Sequence, residues 1–219
     1  MRYLLFENLA VMACAGFGFL FGARYLKTRK GLYARMIVDG VLCIAAGRLF
    51  QCAMLLTGGS LTERFQMGSL GVMGAFLFFL SANYGQIDSL VDGGEQQFAR
   101  YRIIAHAVPL CVVALVIPVV LSQTGLSFRI ASVFVSMIIG AASYFHLKHL
   151  LIPDVDYGVV RCLRGFNALA IGLSVLSMLE LIALAWNLDI LLYGSGVGLC
   201  AVTLALVPVM DRGVKKWQT

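Results

Sequence analysis

Charge is what this sequence has little of. Of 219 residues, 13% are charged and 60% are hydrophobic, where an average soluble domain carries about 25% charged and about 45–50% apolar residues. So little polar surface cannot cover a folded domain in water, and so much apolar surface excludes a disordered chain. What is left is a polytopic membrane protein. This scarcity says where the chain resides more clearly than what it does there.

What is present is a series of long apolar runs. A spanning helix needs roughly 20 mostly apolar residues, and seven stretches qualify: 4–26, 36–57, 66–87, 103–122, 128–147, 165–186 and 190–210. They are about twice the roughly 10-residue alternating segments of a membrane barrel and are apolar on all sides, so helices are expected. The predicted fold is an all-α, seven-transmembrane-helix bundle forming a single domain over 1–219, with no soluble domain appended. Lys and Arg set its orientation. Arg24, Lys27, Arg29, Lys30, Arg35, Arg100, Arg102, Lys148, Arg161, Arg164, Arg212, Lys215 and Lys216 fall on one side, against Arg2, Arg64 and Arg129 on the other. This predicts an outside N-terminus, a cytoplasmic C-terminus and residence in the plasma (cell inner) membrane. Trp217 and Tyr157, and Trp186 and Tyr193 opposite, suit interfacial anchoring. Glu7 and Asn8 interrupt the first apolar run, and apolar sequence continues to Phe21 past Ala13-Cys14-Ala15, which reads as a retained span rather than a cleaved signal peptide. The net charge of +6 is accounted for by this topology, so no nucleic-acid partner is implied; the expected partner is the lipid bilayer, with anionic headgroups beside the basic first loop.

Several familiar chemistries lack their residues. Five of the six cysteines lie within spans and Cys162 lies in a cytoplasmic loop, with no metal or redox spacing and no pair placed for a structural disulfide. The seventh span has neither His nor Lys. It therefore lacks the histidine pair of seven-span zinc hydrolases of the adiponectin-receptor and ceramidase kind, and the attachment lysine of retinal proteins. No GxSxG, P-loop or dinucleotide fingerprint occurs. His106, His146 and His149 map to the cytoplasmic edge, followed by Asp154 and Asp156, without a zinc motif, and are read as interfacial side chains. No catalytic residue, metal or cofactor is implied. Two parallel three-helix repeats, as in sugar transporters of the SWEET type, are one way to build seven spans. A shift of 125 residues superimposes Gly40, Ala45, Gly47, Gly71 and Val72 on Gly165, Ala170, Gly172, Gly196 and Val197, but overall identity stays at the level of composition, and the Pro-Gln pair of that family is missing. Gly68, Gly71 and Gly74, and the GxxxG pairs Gly18/Gly22 and Gly194/Gly198, read as helix packing positions. Pro109 and Pro118 are expected to kink the fourth span or free carbonyls in it.

The informative residues are polar ones inside the spans. Arg48 lies about 9 residues, and Glu180 about 6, from the outer ends of their helices, a depth difference under about 5 Å at 1.5 Å per residue. An arginine at mid-membrane costs at least about 2.5–3.5 kcal/mol on insertion scales, so it must face inward and find a partner. Gln51 follows Arg48 on nearly the same face. An Arg48–Glu180 ion pair, or a shared ligand site with Gln51, is expected. A second layer is predicted from Asp39, Asn83, Gln86 and Asn167, either as the inner part of a polar pathway or as interhelical hydrogen bonding. Arg35 and Asp39 also form an i, i+4 pair. The segment 81–88 reads as a solvated helix end. Three functions follow: a small-solute transporter or ligand-binding membrane component, its solute small and anionic, using Arg48, Gln51 and Glu180; a receptor-like sensor or assembly subunit acting on a cytoplasmic protein through loops 88–102 and 148–164; and a membrane-embedded enzyme. The intramembrane charges favour the first.

Overall fold

The computed structural model describes residues 2–28, 31–61, 67–153 and 158–218. Arg29, Lys30, Arg64, Gln66, Asp154, Asp156 and Tyr157 lie outside the described residues, as does the side chain of Arg2. Every regular element among the described residues is helical, and seven helices, the third taken with its continuation to Val91, are long and apolar enough to cross a membrane. They are α1 (Arg2–Thr28), α2 (Leu32–Leu56), α3 (Met67–Ala82), α4 (Ala99–Leu121), α5 (Leu126–Leu151), α6 (Val159–Trp186) and α7 (Asp189–Gln218). The chain is a multi-pass membrane protein.

Most helices extend past the predicted spans, mainly at their charged ends. Hydropathy marks where lipid ends, whereas a helix carries on into polar sequence until its backbone is capped or broken. Asn187 supplies one such break: it takes the left-handed conformation (φ 53°), and the Leu188 N–H donates to the Ala183 carbonyl at 2.9 Å, reversing the chain between α6 and α7. The prolines do not end α4. It runs through Pro109 and Pro118, which deprive the carbonyls of Ala105 and Ala114, four residues earlier, of their helical donors.

Six helices close a ring in the order α1–α2–α3–α5–α6–α7, with α7 returning to α1. Helix α4 stands outside it, against α5 and more lightly α6. The ring pairs α2 with α6 as opposite walls. Glycine controls how closely its members approach. A Cβ on Gly71 of α3 would lie 2.5 Å from the Cys43 carbonyl oxygen and 2.6 Å from Gly47 Cα on α2. These glycines meet backbone and leave no niche for a ligand; Gly18 and Gly22 likewise pack on α2 and α7, and Gly198 on Leu176, while Gly194 faces open space.

At the foot of α3 the structure departs from expectation. The segment read as a solvated end continues as a π-helical stretch, Asn83–Asp88, followed by Ser89–Val91. The wider i→i+5 turn leaves Asn83 and Ile87 fully packed inside, with Tyr84 and Gly85 outward.

Candidate functional site

Arg48 points into the ring from α2 and is 3% exposed. Its guanidinium meets Glu180 of α6 through two parallel bonds, Nη1 to Oε1 and Nη2 to Oε2, each 2.5 Å. Nη1 also donates to Asn8 Oδ1 of α1 at 3.0 Å and to Gln51 Oε1 at 3.3 Å. This fork-to-fork geometry is the strongest way for arginine to hold a carboxylate. Three helices thus converge on one cation at the level of Glu180. Asn8 is itself held by a bond from Nδ2 to the Leu4 carbonyl at 2.8 Å. The Arg48 Nε has no hydrogen-bond partner among the described residues.

A cavity of about 40 Å³ adjoins the pair, lined by Arg48, Gln51, Ser69, Ser177 and Glu180 together with Leu61, Val72, Phe128, Val135, Leu181 and Leu184. That is room for a few water molecules. Its apolar lining includes Leu61, in the α2–α3 connection, and Phe128, at the start of α5, so it extends from the pair toward the end of the bundle where α1 begins. Glu7, adjacent to Asn8 on α1, is buried in the same region. Its prominence in the first apolar run was legible, but nothing local shows that α1 turns it inward.

The second polar layer has a different membership from the one predicted. Asn83 of the π-helical stretch after α3 and Asn167 of α6 do meet, the Asn83 Nδ2 donating to Asn167 Oδ1 at 2.9 Å. The third member is His146 of α5, whose Nδ1 lies 2.8 Å from Asn167 Oδ1 and 2.7 Å from Asn83 Nδ2. Tyr33 of α2 reaches Asn83 Oδ1 through its hydroxyl at 3.4 Å. Phe79 and Phe166 pack edge-on against the imidazole. Asp39 and Gln86 stand apart. Asp39 turns to Arg35, 3.9 Å away on the surface of α2, and the Gln86 amide donates to the Gly85 carbonyl on the exposed side of the π turn. Both sit on helix faces that rotate away from the ring centre.

The histidines also differ from expectation. His146 is 0% exposed and His149 is buried with it, because the i, i+3 face they share is the one α5 turns toward α3 and α6. His106 alone is at the surface, its ring 3.8 Å from that of Tyr144. His149 Nε2 lies 3.1 Å from Asp88 Oδ1. Beside it the buried Lys148 pairs with Asp88 and, at 3.3 Å, with Asp92, which also holds Arg102 at 2.7 Å. The acids that open the 88–102 loop are therefore committed to cations of α4 and α5. Spacing along the chain offered no signal for these long-range pairs.

The two layers lie at different depths, and the buried Ser174 between them on α6 bonds back to the Ala170 carbonyl at 2.9 Å. Asn167 and Glu180 are thirteen residues apart on α6, about 20 Å at 1.5 Å per residue. Val41, Ile44, Phe76, Ile139 and Leu173 belong to the buried apolar core between and around them. Among the described residues no three His, Cys, Asp or Glu side chains stand together as a metal site, and all six cysteines are free thiols. No protein-family model, no curated protein and no solved structure matches this chain.

Proposed function

We propose that this protein is a small-solute transporter or ligand-binding component of the plasma membrane, with its N-terminus outside, and that Arg48 receives a small anionic solute. The observation that carries the reading is the bidentate Arg48–Glu180 pair at the edge of a cavity. A carboxylate or phosphate ligand binds arginine in this same two-bond mode. Glu180 holds the place such a ligand would take and would yield it on binding. Gln51, Ser69 and Ser177 supply the polar contacts that would orient the solute.

Binding is tested with acetate and inorganic phosphate as probes, using the purified protein in detergent and a thermal-shift or calorimetric readout. Glu180→Gln removes the internal competitor's charge and should tighten anion binding at least about tenfold, a 1.4 kcal/mol difference. Arg48→Ala should abolish it. Failure of both probes to bind the wild type and the Glu180→Gln variant overturns the reading.

One observation favours a receptor-like sensor as the second reading. The cavity extends toward one end only, while the Asn83–His146–Asn167 layer and the Lys148 ion pairs close the other. A solute-driven change at Arg48 would then pass to a cytoplasmic partner at 88–102 and 148–164.

A further inference from the structure

Glu7 has no part in that reading, yet it is the least satisfied acid near the site. It is 7% exposed, and neither carboxyl oxygen has a hydrogen-bond partner among the described residues. The space it fills is shaped for it. On α7 a Cβ added to Gly196 would lie 2.6 Å from Glu7 Cγ and 2.7 Å from its Oε1, so any larger residue there would collide with the carboxyl group. The charged and titratable groups around it come from every neighbouring helix. They are Arg48 of α2, Glu180 of α6 and Cys200 of α7, with Tyr3 of its own helix.

One cation therefore serves two carboxylates. Arg48 spends both arms of its fork on Glu180. An ionised carboxylate without hydrogen bonds in a buried, low-dielectric space is strongly disfavoured, and binding a proton removes its charge. Two acids that share a site cannot both ionise cheaply, and the one with the better ion pair keeps its charge.

We propose that Glu7 is a proton-binding site: at neutral pH it carries a carboxylic-acid proton while Arg48 holds Glu180 as carboxylate. Charge then balances, with +1 on Arg48, −1 on Glu180 and none on Glu7. The proposal goes beyond the functional reading and does not depend on it.

The proton on Glu7 is tested without any solute, by infrared spectroscopy of the full chain in liposomes at neutral pH. The wild type should show a protonated-carboxyl C=O band that shifts in D₂O. Glu7→Gln should remove it, and Glu7→Asp should move it. Absence of the band from the wild type, its survival in Glu7→Gln, or an unmoved band in Glu7→Asp overturns the proposal. The aspartate variant decides the matter if the glutamine variant does not fold. Because no anion is present, these results stand apart from the acetate and phosphate titrations.

Discussion

The two buried polar layers use opposite solutions to the same problem. At Arg48 the helices are joined by full charges, and one cation pairs with one carboxylate beside a small cavity, with Glu7 buried nearby. At His146 they are joined by neutral amides and an imidazole packed against phenylalanine rings. A neutral hydrogen-bonded layer in lipid contributes modestly, about 0.6 kcal/mol per interaction on average and seldom above 1.7 kcal/mol. A charged pair is worth little against a well-packed apolar substitute, yet breaking it leaves a buried charge that costs about 3–5 kcal/mol. A pair of that kind is poor glue and a good switch. The difference suits the His146 layer to fixing the bundle and, under the function proposed above, the Arg48 layer to a change of state.

The comparison breaks most visibly with Glu180→Ala. The unpaired guanidinium should destabilise the protein by about 3–5 kcal/mol in equilibrium unfolding in detergent or bicelles. Glu7, buried beside the pair, is placed to lessen that loss. Removing both partners, as Arg48→Met with Glu180→Leu, should restore most of the stability while eliminating anion binding. A double variant as unstable as Glu180→Ala would show that the pair is structural glue after all.

In the neutral layer, His146→Leu should cost about 1–2 kcal/mol in the same measurement, since Asn83 and Asn167 keep each other as partners. It should leave acetate and phosphate binding where it was. A change in anion affinity would mean that the layers communicate across the apolar core between them.

The smallest effect is expected outside both layers. Asp39→Asn removes an exposed i, i+4 pair at 3.9 Å and should shift stability by less than about 0.5 kcal/mol. A larger loss would place Asp39 in the polar machinery despite its surface position.

Much of this architecture is legible in the chain. The seven spans follow from local sums of hydropathy, which need no knowledge of neighbours. Arg48 stands out because a full charge at mid-membrane must be answered, and Glu180 is the acid at matching depth on another span. Asn83 and Asn167 are visible for the same reason in weaker form. The neighbours of these residues are harder to read. His146 looks interfacial because it lies near a helix end, and only the rotation of α5 turns it inward. Asp39 and Gln86 have the right depth and the wrong azimuth. Glu7 reads as a polar interruption close to a terminus until α1 is seen to lie between α2 and α7.

By itself the sequence determined a helical, membrane-spanning chain with one central cation that had to be paired, because desolvating backbone and charge is costly wherever it happens. The tertiary structure decided the ring order, the exclusion of α4 from it, and the convergence of Asn8, Arg48 and Glu180 beside Glu7. Those outcomes depend on which helices adjoin and how each is rotated about its axis, and they are set by glycine-to-backbone contacts such as Gly47 on Gly71 that only the packed bundle brings into being.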